Sequence, residues 1–200
     1  VTVLRSASVR ANTWAEIGAI RIEAEPYALK NDDSMLLQLP EDFKFYGDNY
    51  SVSGPVISGS PGIITYTVTG ENSGQARIVI PENYAGEAND LFASNANNPL
   101  EITPLNQNEI RIKLLNYLST GGRNVVYVYF DEVFVPNVYS GGISLHMDAQ
   151  PGSGWPVNKA VVADTGRSLP GEPKNLKAQV VEAHSVSLLW GDNSDIEDGF

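Results

Sequence analysis

Along most of the chain, apolar and polar residues alternate with period two. In GAIRIEA (18–24), Ile20, Ile22 and Ala24 fall on one side and Ala19, Arg21 and Glu23 on the other, as in a strand with one buried face. The alternation recurs in SMLLQLP (34–40), GIITYTVTG (62–70), QARIVIP (75–81), NEIRIKLLN (108–116), RNVVYVYFDEVFVP (123–136), GGISLHMDA (141–149) and VNKAVVAD (157–164). Turn formers separate these runs: Asn31-Asp32-Asp33, Gly47-Asp48-Asn49, Ser60-Pro61-Gly62, Gly121-Gly122 and Gly141-Gly142. Strands rich in Val, Ile and Tyr, broken roughly every 8 to 15 residues by Gly, Pro and Asn, predict an all-β chain folded as an antiparallel β-sandwich, Ig-like or jelly-roll-like. The polar stretch PENYAGEANDLFASNANN (81–98) lacks alternation and predicts a long loop with one helical turn around Ala88–Ala93.

Near the start, Val1, Val3, Ala7, Val9 and Ala11 share one face, broken only by Arg5. Such a terminal strand either closes its own sandwich or lies along the exposed edge of another subunit by strand addition, a head-to-tail contact that builds an open filament. At the other end, DTGRSLPGEPK (164–174) sets two prolines and two glycines among polar residues and reads as a linker, which bounds a sandwich domain at 1–163. Beyond it, Leu176, Ala178 and Val180 alternate on one strand and Val186, Leu188 and Trp190 on the next.

This C-terminal segment, PKNLKAQVVEAHSVSLLWGDNSDIEDGF, resembles the beginning of a fibronectin type III domain. There a proline-led first strand is followed by a second ending in a buried tryptophan, and LLWGDNSDIEDGF (188–200) is similar to the bacterial secreted variety. The resemblance implies that residues 175–200 are the opening strands of such a domain, cut off after two. Because a two-stranded fragment cannot bury its own apolar face, Leu176, Val186, Leu188 and Trp190 are expected to pack against the first domain, against a neighbouring chain or against a continuation of the chain. Residues 1–165 resemble β-sandwich modules of large secreted surface proteins from Gram-positive-type bacteria, through IGAIRIEAEPYALKNDDSMLLQLPEDFKF (17–45) and GWPVNKAVVAD (154–164). That likeness implies an extracellular structural or adhesive setting.

Composition narrows the chemistry. With 13 Lys+Arg against 24 Asp+Glu, the formal net charge is −11, which disfavours nucleic acid as a partner. The absence of cysteine removes disulfides and thiolate metal sites. No run approaches the ~20 apolar residues of a membrane span, so membrane insertion is not expected. A chain opening on Val1 without a signal pattern reads as trimmed or excised from something longer, and secretion to the cell surface is the expected location.

Only two histidines are present, His146 and His184. His146 alternates with Ile143, Leu145 and Met147 and is expected to face solvent, while His184 falls in the turn between the last two strands. Neither has a nucleophile motif beside it, and no G-x-S-x-G elbow occurs. Asp131-Glu132 interrupts the aromatic strand Tyr127–Val135. Such a break marks a cleft, where a glycosidase would need an acid pair, or a bulge or edge where charge blocks pairing. Calcium is the ion the composition admits, with Asp32, Asp33, Asp48 and Asp90 as candidate ligands inside Asn/Asp clusters that otherwise serve turns. Tyr46, Tyr50, Tyr84, Tyr117, Tyr127, Tyr129, Tyr139 and Trp155 are expected mostly at strand ends or in loops, where a ring could stack on a sugar.

Together these features point to a non-enzymatic extracellular structural protein. It would be a self-associating subunit of a bacterial surface fibre, filament or layer, with Val1, Val3, Ala7, Val9, Leu176, Leu188 and Trp190 as interface candidates. The alternative is a carbohydrate-binding or adhesive module of a large secreted polysaccharide-active protein, with carbohydrate or cell wall as partner. Acidity of this size would keep open strand edges soluble, and divalent cations could neutralise it where subunits meet.

Overall fold

The period-two runs become two facing sheets. The computed structural model describes residues 1–59, 62–81, 83–84, 87–93, 98–115, 123–137, 142–149, 151–163, 174–182 and 185–191. In chain order the elements are β1 (Thr2–Ser6), β2 (Thr13–Ala15), β3 (Gly18–Ala24), β4 (Ser34–Gln38), β5 (Tyr50–Ser58), β6 (Ile63–Gly70), β7 (Gln75–Pro81), β8 (Asn83–Tyr84) and β9 (Glu87–Ala88). A single helical turn α1 (Asp90–Ala93) follows, then β10 (Leu100–Asn106), β11 (Glu109–Leu114), β12 (Asn124–Val135), β13 (Ile143–Ala149), β14 (Asn158–Ala163), β15 (Lys174–Glu182) and β16 (Ser185–Gly191).

One sheet runs β1-β3-β12-β7-β6-β5, with β2 added on β12, and the other runs β10-β11-β4-β13-β14. All pairings within both sheets are antiparallel. Alternation puts Ile20, Ile22, Val126, Val128, Phe130, Ile78, Ile80, Ile64 and Val68 of the first sheet against Met35, Leu37, Ile110, Ile112, Leu145 and Met147 of the second, in one core. Burying side chains of this size is worth about 1.5–3 kcal/mol each, so the facing rows dominate the stability of the sandwich. The sheets meet at β1 and β14 on one side and at β5 and β10 on the other.

Two glycines mark close approaches. Gly18 (φ 123°) lies between the Arg5 and Val162 carbonyls, 2.2 and 2.4 Å from where a Cβ would sit, at the β1/β14 closure. Gly74 (φ 107°) is pressed on the Phe45 carbonyl and Tyr46 Cα, at 2.4 and 2.5 Å, beneath the Trp14 ring.

The strand β12 carries the Asp131-Glu132 break. Residues 124–130 pair with β3 and residues 133–135 with β2, and the register against β7 shifts between Tyr129 and Glu132. The acidic pair therefore sits on a bulge that lets one long strand bend and change partners. Where β7 ends, a buried side chain completes the ladder. Continuing the Tyr127↔Val79 register brings Val125 opposite Pro81, which has no N–H to donate. The Asn89 amide fills that place: its Nδ2 donates to the Pro81 and Val125 carbonyls, both at 2.9 Å, and its Oδ1 accepts from the Val125 and Leu91 N–H groups.

Several expectations are corrected. The N-terminal residues do not form one unbroken inward face. A register shift between Val3 and Arg5 breaks the alternation at Leu4, so Val3 and Leu4 are exposed, while Val9 and Ala11 are buried beyond the strand's end. Val1 and Ala7 pack partly on the core. Two unforeseen strands, β5 and β10, carry Gly54-Pro55 and Pro104 in their interiors and are edge strands of the two sheets, where a missing donor is tolerated. In the C-terminal hairpin β15–β16, Ala178 opposes Leu188 and Val180 opposes Val186. Leu176, Val186, Leu188 and Trp190 stay 45–67% exposed, so the sandwich does not bury them. Most of the linker (164–173), His184 and residues 192–200 lie outside the described residues.

Candidate functional site

The acid pair at the β12 bulge is tied to its own scaffold. Arg77 on β7 reaches Asp131 with two parallel hydrogen bonds, Nε to Oδ2 at 2.5 Å and Nη2 to Oδ1 at 2.7 Å, and lies 4.8 Å from the Tyr129 ring centre. The Asp131 hydrogen bond raises the Arg77 pKa above its usual value, against a smaller opposing effect of burial. Glu132 Oε2 accepts the Gly74 N–H at 2.9 Å and so pins the turn that joins β6 to β7. Both carboxylates thus have structural partners of the kind a bulge demands.

The calcium candidates do not converge. Asp32 (φ 69°) pairs with Lys113 Nζ at 2.7 Å, which raises the lysine pKa through that bond. Asp33 Oδ2 accepts the Lys30 and Gly154 N–H groups at 2.9 and 3.0 Å. Asp48 is exposed beside Asn49, whose Nδ2 donates to Glu71 Oε2 at 2.6 Å. Asp90 is buried at the start of α1, far along the chain from the others. Among the described residues no group of three or more His, Asp or Glu side chains is arranged to hold a metal ion.

Of the aromatic residues, Tyr46 and Trp155 lie in loops and Tyr50 at a strand end as expected, but Tyr127 and Tyr129 lie mid-strand and the two loop rings are not free for stacking. Tyr46 and Trp155 are buried, and burial raises the Tyr46 pKa, assisted by Tyr50. Tyr127 and Tyr129 stand side by side on the outer face of mid-strand β12, their ring centres 6.4 Å apart and tilted by 63°. Their rings are not coplanar, and Arg77 occupies one side of Tyr129. Tyr50 is exposed on β5, while Tyr117 and Tyr139, with the Tyr84 side chain, lie outside the described residues. Tyr66, missed as a special residue, is buried, and its hydroxyl donates to Asn98 Oδ1 at 2.8 Å and accepts the Leu100 N–H at 3.1 Å. Burial pushes its pKa up to about 12, a shift partly opposed by the Leu100 bond.

Among the described residues, two surfaces of the sandwich stand out as open. The first is the edge strand β5, whose outer side pairs with no other strand among the described residues. Its nine residues YSVSGPVIS contain no charge, and Tyr50, Val52, Val56 and Ile57 are 38–58% exposed. A bulge at Gly54-Pro55 divides it into two pairing runs, Tyr50–Ser53 and Val56–Ser58. At the opposite end of this sheet, β1 is exposed along its whole length and held to β3 at only four positions.

The second surface is a depression of about 660 Å³ on the outer face of the other sheet. Its lining consists of Gln38, Leu39, Pro40, Glu41, Asn108, Ser144, His146 and Lys159. His146 faces solvent as expected, but the strand order sets it in a row across four strands, Glu109 on β11, Gln38 on β4, His146 on β13 and Lys159 on β14. This row was invisible along the chain because its members are up to 121 residues apart (159 − 38). No family model, no curated protein and no solved structure matches the chain.

Proposed function

We propose that the chain is a non-enzymatic structural module of an extracellular bacterial surface assembly, and that its copies join edge to edge through β-strand addition. The observation that carries this reading is the β5 edge: uncharged, with exposed apolar side chains and no strand paired to its outer side among the described residues. Natural edges are blunted by charge, cover, proline or bulges; β5 lacks charge, and its Gly54-Pro55 bulge leaves the runs Tyr50–Ser53 and Val56–Ser58 as templates for another strand. The donor is β1 of a second copy. Its ladder to β3 is short and interrupted, so exchanging it for one on β5 trades away only four paired positions and the contacts with β14. Because β1 and β5 lie at opposite ends of one sheet, the contact is heterologous and repeats into an open filament. A non-catalytic role is supported by the Arg77 fork on Asp131 and by the Gly74 amide on Glu132. The exposed apolar side of the β15–β16 hairpin offers a further contact, at Leu176, Leu188 and Trp190, for an adjoining module.

Electron microscopy and sedimentation of concentrated protein test this reading. Filaments or oligomers that grow with concentration are expected for the intact chain. They should be lost on removal of residues 1–6, a cut that spares the buried Val9 and Ala11. A species that stays monomeric at every concentration, or assembly unaffected by the cut, would overturn it.

A further inference from the structure

We infer that the depression on the outer face of the β10-β11-β4-β13-β14 sheet is a binding groove for a neutral oligosaccharide. Three observations converge. First, the floor is an ordered row. Gln38 stands directly opposite His146, and His146 directly opposite Lys159, so three lining side chains cross three adjacent strands in one line, which Glu109, opposite Gln38 but outside the lining, continues. With strands about 4.8 Å apart the lining part of the row spans roughly 10 Å, a length that suits a short glycan better than a single small ion.

Second, the groups match hydroxyls. The lining offers amides (Gln38, Asn108), a hydroxyl (Ser144), an imidazole (His146), an ammonium (Lys159) and a carboxylate (Glu41). Donors and acceptors are therefore interleaved, which suits groups that both give and accept hydrogen bonds. Gln38 Nε2 already donates to Glu109 Oε1 at 2.8 Å, and Asn108 Nδ2 to the Leu39 carbonyl at 3.3 Å. Those bonds fix the two amides in place before any ligand arrives. Pro40 adds an apolar surface to the lining for the C–H face of a ring.

Third, the charge is balanced. The lining carries one cationic side chain, Lys159, and one anionic, Glu41, so the groove favours neither an anion nor a cation, and the net −11 of the chain further disfavours a polyanion. Its volume lies within the range of about 300–1,000 Å³ found for ligand pockets. The groove is independent of the β5 edge, which belongs to the other sheet.

The test is amide NMR of the whole chain titrated to about 10 mM with cellotriose, xylotriose and chitotriose, with trigalacturonate as the anionic control. At least one neutral trisaccharide is expected to shift residues 38–41, 108, 144–146 and 159 saturably, with a dissociation constant near about 1 mM, while trigalacturonate binds more weakly. His146→Ala should weaken that binding by about tenfold with the thermal midpoint unchanged, since its side chain is exposed, and Gln38→Ala should weaken it as much with a slightly lowered midpoint from the lost Glu109 bond. No shift with any of the three neutral sugars would overturn the inference. So would tighter binding of the uronate, shifts centred on Tyr127 and Tyr129, or undiminished affinity in both variants.

Discussion

Replacing Asn89 by Ala removes the amide that stands in for the donor missing at Pro81. Asn89 is almost fully buried and makes four bonds to main-chain groups: it donates to two carbonyls at 2.9 Å and accepts two N–H groups at 3.2 and 3.4 Å. A typical intramolecular hydrogen bond contributes about 1 kcal/mol net, and a buried group left unpaired costs about 1–3 kcal/mol. The two shorter bonds count fully and the two longer ones partly, so Asn89→Ala should destabilise the sandwich by about 3 kcal/mol. Against a total of about 5–15 kcal/mol for a domain, the variant still folds, and urea denaturation followed by tryptophan fluorescence reads the difference. The account makes a sharper demand of the double variant. Pro81→Val restores a backbone N–H opposite Val125, so in the Asn89→Ala background it should recover about 1 kcal/mol or more, whereas in the wild type it competes with the Asn89 amide and destabilises. A loss below about 1 kcal/mol for Asn89→Ala, or strict additivity in the double variant, would refute the role assigned to this residue.

Other expectations follow from single contacts. Tyr66 has a folded-state pKa of about 12 against 10.0 for the free group, so the stability held by its neutral phenol is intact below pH 10 and lost as pH rises through 12. Between pH 9 and pH 12 the fall in stability read from denaturation midpoints should be smaller in Tyr66→Phe than in the wild type by roughly 2 kcal/mol, and the variant itself costs about 1 kcal/mol at neutral pH by orphaning the Leu100 N–H. Gly74→Ala places a Cβ against the Phe45 carbonyl at an unfavourable φ and should lower stability by at least about 2 kcal/mol in thermal melts. Asp131→Asn breaks a half-exposed fork, so the expected loss is only about 1 kcal/mol and shrinks further in high salt.

The strands that read clearly in the sequence are those with one buried face. β3, β4, β6, β7, β11, β12, β13 and β14 each alternate, because a sandwich core admits only every second side chain. Edges are harder to read. β5 and β10 hold Gly54-Pro55 and Pro104, residues that signal a break along the chain yet are compatible with a strand paired on one side only. The Asp131-Glu132 break was legible as a bulge or a cleft. Choosing between them required Arg77 and Gly74, which lie 54 and 58 residues away and reach the acids only through strand pairing. The same holds for the groove: His146 alone reads as a solvent-facing residue, and its neighbours Gln38 and Lys159 come from register, which no local pattern encodes. Asn89 was hidden for a different reason. A buried amide in an Asn-rich segment has no periodicity, and only the proline it compensates for gives it meaning.

Hydrogen exchange measured across a dilution series tests the edge-to-edge account most directly. If β1 of one copy adds to β5 of the next, amides within Tyr50–Ser58 should exchange more slowly as the protein is concentrated. Val56→Lys with Ile57→Lys, both on exposed positions, should abolish that protection while leaving the exchange of β12 unchanged. Exchange at Tyr50–Ser58 that is independent of concentration, in a sample that nonetheless assembles, would contradict it.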